Sequence, residues 1–151
     1  MKKMVTVMAN KTDNIKVAKV IVEVSCTDNN YCASLPLLPG CVTTGENIDE
    51  IERNINEIVP FHLEGMRDSE EQIPEEFERE YEFVYNFSVE ALLNHYSGIF
   101  TKAALSRITG INERQLWHYA AGLRKPRKNQ AERITNGLHK LGRELLSIGS
   151  Y

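Results

Sequence analysis

The sequence has little of what marks a secreted, fibrous or membrane-spanning protein. Among 151 residues there are 3 Cys, 5 Pro and 9 Gly, too few for a disulfide-stapled scaffold, a collagen-like repeat or a low-complexity chain. No apolar run has the length of a membrane span, and the first residues lack the apolar stretch of a signal peptide. We therefore expect a globular, cytoplasmic protein with no membrane segment.

The sequence also lacks the residue patterns of an enzyme or a metal site. Cys26, Cys32 and Cys41 are separated by gaps of five and eight residues, which fit neither a zinc knuckle nor a CxxC pair. We expect buried free thiols, with no metal and no cofactor. A two-metal nuclease needs carboxylates that converge on its metal ions. The strand predicted across Val20–Val24, which we expect at the centre of a sheet, offers only Glu23. A non-enzymatic protein is the favoured interpretation, and a metal-dependent nuclease is a weaker alternative.

Acidic and basic residues are unevenly distributed along the chain. Up to Phe87 there are 8 Lys and Arg against 17 Asp and Glu, whereas from Ser88 onward there are 10 against 4. Such asymmetry predicts two modules with different partners, the basic one binding nucleic acid. We place the modules at residues 1–87 and 88–151, and we expect each to keep its own activity when the chain is cut between them.

The first module combines strand and helix patterns. Apolar residues alternate around Val5 and Val7, across Val20–Val24 and across Tyr81–Phe87, and short strands are expected at Tyr31–Leu35 and Cys41–Thr44. These patterns predict an α+β fold, a small antiparallel-rich sheet with one helix packed on it, followed by an all-α domain.

One helix is predicted in the first module, from about Ile48 to Glu64. Asn47 and Glu50 have the spacing of a capping box, and Gly65 is a candidate helix stop. The predicted apolar stripe of this helix comprises Ile48, Ile51, Ile55, Ile58 and His62.

Helical signals replace strand signals in the second module. Ser88, Thr101 and Asn112 are candidate caps of three short helices, the third of which ends at Gly122. A fourth helix is expected from about Asn129. Its apolar stripe comprises Ala131, Ile134, Leu138, Leu141 and Leu145.

The second and third of these helices are joined by a tight turn that contains Gly110. The motif consists of Thr101-Lys102-Ala103-Ala104-Leu105, Thr109-Gly110-Ile111-Asn112 with Leu116, and Gly122-Leu123-Arg124-Lys125-Pro126. It resembles the repressor-type helix-turn-helix of phage repressors, whose second helix enters the DNA major groove. Lys102 stands where such motifs usually have Gln, and Trp117 where a small polar residue is usual.

Side-chain chemistry identifies candidate DNA contacts in this motif. Arg and Gln pair with guanine and adenine edges, while a run of cations suits phosphates. The predicted DNA-binding residues are Lys102, Asn112, Glu113, Arg114, Gln115, His118, Arg124, Lys125, Arg127 and Lys128. A solvated, basic helix end is the alternative interpretation of the charged run. For His118, a phosphate contact and an exposed position with no contact are equally supported.

Helix-turn-helix proteins commonly read paired half-sites as two-fold dimers. We expect a homodimer or a higher even oligomer. The predicted dimer-interface residues are Trp117, Leu138, Leu141 and Leu145.

A second motif set occupies the acidic module. It consists of Tyr31-Cys32-Ala33, Pro36-Leu37-Leu38-Pro39-Gly40-Cys41, Thr43-Thr44-Gly45, the acidic helix after Asn47, and Ile73-Pro74. From about Ile15 to Phe87 the chain resembles the HicB antitoxin family, in which a helix-turn-helix can follow. The resemblance implies a partial ribonuclease-H-like fold without nuclease activity, a HicA-like toxin that cleaves mRNA as partner, and binding of the complex to its own operator DNA.

The acidic surface has a direct electrostatic interpretation. Between Glu46 and Glu82 there are 14 acidic and 3 basic residues, and an RNA-cleaving toxin must be basic, so this surface could mimic RNA. A solvated helix face is the alternative. The predicted toxin-binding residues are Asp49, Glu50, Glu52 and Glu57. The rival function is a stand-alone transcription regulator whose acidic module senses a small molecule.

Overall fold

The computed structural model describes residues 16–151, so the strand predicted around Val5 and Val7 lies outside the described residues. The fold is α+β, as predicted. The strands are β1 (Ala18–Cys26), β2 (Tyr31–Ser34), β3 (Val42–Gly45) and β4 (Tyr81–Phe87). The helices are α1 (Ile48–Asp68), α2 (Val89–His95), α3 (Lys102–Thr109), α4 (Glu113–Ala120) and α5 (Lys128–Leu146), with a 3₁₀ turn at Glu75–Glu78.

The four strands form one mixed sheet in the order β3-β2-β1-β4. β2 pairs antiparallel with both β1 and β3, whereas β4 lies parallel to β1 with Val20 opposite Phe83 and Val22 opposite Tyr85. Facing residues of paired strands lie on the same side of a sheet. The valines of β1 and the aromatic residues of β4 therefore share one face.

Helix α1 covers this face. Val20, Val22 and Val24 are buried and pack in one hydrophobic core with residues of α1 and Phe77. On the opposite side of the sheet, Lys19, Ile21 and Glu23 are exposed. The alternation predicted for β1 is confirmed, and it results from a sheet that is covered by a helix on one face only.

The predicted end of α1 is wrong, because the helix continues through Gly65 to Asp68. Met66 still packs against the core after Gly65, so tertiary packing outweighs the low helix propensity of glycine. The predicted stripe is also partly wrong. Ile58 and His62 are only half-buried. The buried stripe is Ile48, Ile51, Ile55, Val59 and Leu63.

A second, separate core lies within the helical part of the chain. It includes Leu93 of α2, Leu105 of α3, Leu116 of α4 and Ile134 of α5. Helices α3 and α5 approach closely at Gly137, where a Cβ atom would lie 2.9 Å from the carbonyl oxygen of Ile108. This close contact explains a glycine in the middle of a helix.

Helix α2 connects the two parts of the chain. The amide of Ser88 donates to the carbonyl of Val24 at 2.8 Å, and the side chain of Asn94 donates to the carbonyl of Ala120 at 2.8 Å. The rings of Phe87 and His95 stack with their centroids 5.9 Å apart. Among the helices described here, none is long and apolar enough to cross a membrane.

Candidate functional site

A tight turn connects α3 and α4, the two helices of the predicted helix-turn-helix. Gly110 ends α3 in the left-handed conformation, with φ of 71°, which favours glycine. The Thr109 hydroxyl donates to the carbonyl of Leu105 at 2.7 Å and accepts from the amide of Ile111 at 3.2 Å. Ile111 is buried. These contacts fix the angle at which α4 leaves the turn.

Arg133 of α5 also holds this turn, a contact that the sequence does not reveal. Its guanidinium Nη2 donates to the carbonyl of Gly110 at 3.0 Å. A Cβ atom on Gly110 would lie 2.8 Å from the same Nη2. Because the two residues are 23 positions apart, no local pattern connects them.

Helix α4 presents a polar face to solvent. Leu116, Tyr119 and Ala120 are buried against α2 and α3. On the other side, Glu113, Arg114 and Trp117 are exposed, and His118 is half-buried. The predicted DNA-binding residues Glu113 and Arg114 are therefore accessible on this helix.

Two of the predicted DNA-binding residues have structural roles in α4. The Asn112 side-chain oxygen caps the helix by accepting from the amide of Gln115 at 2.8 Å. The side chain of Gln115 is half-buried and donates to the Tyr119 hydroxyl at 2.8 Å. Both side chains therefore stabilise the helix that carries Arg114.

Lys102, another predicted DNA-binding residue, is largely covered by its neighbours. The residue is only 9% exposed, and its Nζ lies 4.9 Å from the centroid of the Trp117 ring. Its aliphatic stem is buried while the ammonium contacts an aromatic face, a favourable cation–π arrangement. In the structure, the ammonium of Lys102 therefore contacts the ring of Trp117.

The basic segment after α4 is fully accessible. Arg124, Lys125, Arg127 and Lys128 are all exposed. The amides of Leu123 and Arg124 donate to the carbonyl of His118 at 2.9 and 3.3 Å, so the segment starts from a fixed point at the end of α4. Lys128 lies 3.9 Å from Glu132, but this pair is exposed and contributes little to stability.

The four predicted dimer residues occupy two different surfaces. Leu138, Leu141 and Leu145 line a groove of about 690 Å³ between β4, α2 and α5. Trp117 instead lines a separate cleft formed by α2, α3 and α4. The structure thus brings the three leucines together but not Trp117.

Helix α1 has an acidic surface outside its buried stripe. Asp49, Glu52 and Glu57 are exposed. Phe61, one turn after Glu57, is 78% exposed. Phe61 is not among the residues predicted to bind a partner, although an aromatic residue outside the apolar stripe of a helix is a visible signal.

Glu50 differs from the other acids of α1. Its carboxylate accepts from the amide of Glu46 at 2.8 Å, while its own amide donates to the Asn47 side chain at 2.9 Å. The predicted cap is therefore present, and the carboxylate of Glu50 is used within it.

The cysteines show no sign of nucleophilic chemistry. All three thiols are free, but only Cys41 is buried, and the expectation of three buried thiols is wrong for Cys26 and Cys32. Burial raises the pKa of Cys41, and burial together with nearby Glu90 raises the pKa of Cys26, which disfavours the reactive thiolate. Within residues 16–151 no group of three or more His, Cys, Asp or Glu side chains could hold a metal ion.

Comparison with known proteins places one family on the first part of the chain. Residues 19–85 match the model of a family described as "HicB_like antitoxin of bacterial toxin-antitoxin system". A segment of 47 residues is 36% identical to an uncharacterized 14.9 kDa protein in the rep-hol intergenic region of Haemophilus phage HP1 (strain HP1c1). That segment covers 31% of this chain and 35% of the phage protein.

No solved structure matches the chain significantly. The chain spans about a third of the length of the phage protein. The family match ends at residue 85, inside β4, and does not include any of the helices α2 to α5. Over residues 19–85 the chain is therefore similar to HicB-like antitoxins, which supports the resemblance seen in the sequence.

Proposed function

We propose that this protein is the antitoxin of a type II toxin–antitoxin system, which neutralises a HicA-like, mRNA-cleaving toxin and binds operator DNA to repress its own operon. The observation that carries the proposal is that one chain carries two surfaces of opposite charge. An acidic α1 face lies in the part that matches the antitoxin family. Two short helices joined by a tight turn and followed by exposed cations lie after it in the same chain. The antitoxin itself is not an enzyme.

The DNA-binding part of the proposal rests on α4 and the segment after it. Arg114 is exposed on the outer face of α4, and four exposed cations follow within Arg124–Lys128. In helix-turn-helix proteins, phosphate contacts position the recognition helix, whereas base contacts give specificity. We assign base contact to Arg114 and phosphate contact to the four cations.

A charge-reversal variant tests this assignment. We expect Arg124→Glu with Lys125→Glu to weaken binding equally to the upstream region of the gene and to an unrelated duplex of the same length. We also expect it to flatten the slope of log K against log salt by about 2, since each lost phosphate contact removes about 0.9. Gel-shift titrations over a salt series measure both effects.

The matched control for this experiment is Lys16→Glu with Lys19→Glu. It changes the net charge by the same amount at two exposed residues at the start of the sheet, so it should keep the wild-type slope. An unchanged affinity and slope in the Arg124 and Lys125 variant would remove the DNA assignment.

The toxin-binding part of the proposal rests on the exposed face of α1. Asp49, Glu52 and Glu57 project from one rigid helix, and a nuclease that holds RNA must present cations to match them. Phe61 adds an exposed apolar side chain to the same helix. Aromatic anchors surrounded by polar residues are typical of binding hot spots.

Charge neutralisation tests toxin binding. Asp49→Asn, Glu52→Gln and Glu57→Gln together should weaken capture of the product of a short, basic, neighbouring gene by at least about tenfold, because complementary charges speed association. The control Glu23→Gln, Asp28→Asn and Glu82→Gln removes the same charge at exposed positions of the sheet strands and a turn. Equal capture by the two triple variants would contradict the proposal, and so would a neighbouring product that is harmless when expressed alone.

The proposal includes a two-fold assembly. Leu138, Leu141 and Leu145 line the groove between α5 and β4, and a second copy of α5 is the occupant that matches this apolar surface. We further propose that residues 1–87 and 88–151 act as separate modules, which the two distinct cores support.

A further inference from the structure

Trp117 is an exposed aromatic side chain in the middle of α4. It is the single tryptophan of the chain and is 60% exposed. Large apolar side chains that stay exposed on a small module commonly mark a contact surface. Trp117 therefore marks a contact surface on α4.

The position of Trp117 argues against a shared interface with the leucines of α5. Its cleft is lined by residues of α2, α3 and α4 and of the segment between α2 and α3, and it has only Phe100 in common with the leucine groove. The leucine groove is lined by residues of β4, α2 and α5 and by Phe100. Trp117 instead shares the outer face of α4 with Arg114, which lies three positions earlier.

Lys102 restricts the Trp117 ring. The ammonium lies over the ring at 4.9 Å from its centroid, and the lysine itself is buried. A ring held in this way loses little conformational entropy on binding. It is therefore suited to a contact that depends on shape.

Resting on the proposed DNA-binding function, we propose that Trp117 is a specificity-determining residue that contacts the C5-methyl group of thymine. The outer face of α4 is the face that would enter the major groove. The thymine methyl is the apolar feature that base edges present there. A fixed indole ring beside Arg114 would then read thymine next to a base that Arg114 hydrogen-bonds.

Replacement of thymine by uracil tests the contact directly. A duplex is first selected from a random library with the full-length protein, and each thymine is then replaced singly by uracil, which lacks only the methyl group. At one or two positions we expect the wild type to bind about fourfold more weakly, the factor for one buried methyl-sized group. In Trp117→Ala, uracil at those positions should have no effect.

Two further variants make the test specific. Trp117→Phe keeps an aromatic ring and should keep part of the thymine preference. Ile99→Ala, which truncates another exposed apolar residue of the helical module, should behave as the wild type. Emission from the single tryptophan should also become less accessible to acrylamide when the selected duplex binds.

The outcomes separate this inference from the function on which it rests. Duplex binding by the wild type with no uracil-sensitive position, or with the same sensitivity in Trp117→Ala, overturns the thymine contact but leaves DNA binding intact. A Trp117→Ala protein that sediments as a monomer while the wild type is a dimer also overturns it, in favour of a dimer contact. No salt-dependent binding of any duplex by the wild type overturns both.

Discussion

At the scale of single residues, the pKa of Tyr85 in β4 depends on a charged residue of helix α1. Burial and the nearby Glu52 carboxylate raise the pKa of Tyr85 to about 12, whereas a tyrosine in an unfolded chain ionises near 10. Above pH 10 the folded state therefore holds a proton that the unfolded state loses. Its stabilising effect is complete below pH 10 and is lost as the pH rises towards 12.

This difference predicts the alkaline stability of the protein. The free energy of unfolding should fall between pH 10 and 12, and Tyr85→Phe should show a smaller fall because it has no hydroxyl to ionise at that position. Urea titrations followed by circular dichroism over this range measure the effect. Parallel pH profiles for the wild type and the variant would contradict the role of Tyr85.

Residue chemistry alone could not separate contact residues from supporting residues in α4. Asn112 and Gln115 have side chains that can bind DNA bases, but in the structure they bond to a helix amide and to the Tyr119 hydroxyl. Lys102 carries the charge of a phosphate contact but lies over Trp117. The roles of Asn112 and Gln115 depend on neighbours that the folded helix brings close, and the role of Lys102 depends on the packing of α3 against α4.

At the scale of helices and strands, local signals predicted the starts of helices well. Asn47, Ser88, Thr101 and Asn112 all accept a hydrogen bond from a helix amide as predicted, because a capping side chain acts within three residues. The predicted end of α1 was wrong, because the true end depends on the packing of Met66 against core residues that are distant in the sequence.

Strand patterns predicted the buried residues of the sheet but not its full topology. The alternation in β1 and β4 follows from one covered face, and this is a local property. That β4 lies parallel to β1, at the edge of the sheet, depends on the long connection through α1. No residue pattern within either strand encodes it.

At the scale of the whole molecule, the proposed two-fold assembly uses the groove between α5 and β4 and would let the protein contact two half-sites of DNA. A dimer that pairs two α4 helices would contact half-sites about one helical turn apart. Leu145 lines this groove and is 55% exposed, so a second copy would bury it. Binding of two linked half-sites is typically 10²–10⁴ times tighter than binding of one.

A charge at Leu145, as in Leu145→Glu, tests the proposed two-fold contact through this groove. A charge buried between two copies without a partner is unfavourable, so this variant should sediment as a monomer and bind a duplex with two selected half-sites at least about a hundredfold more weakly. Its affinity for a single half-site should be unchanged, because α4 is untouched. The matched control is Leu146→Glu, which changes an 88% exposed neighbour that does not line the groove and should remain dimeric. If Leu145→Glu is still a dimer, the two-fold contact lies elsewhere on the molecule.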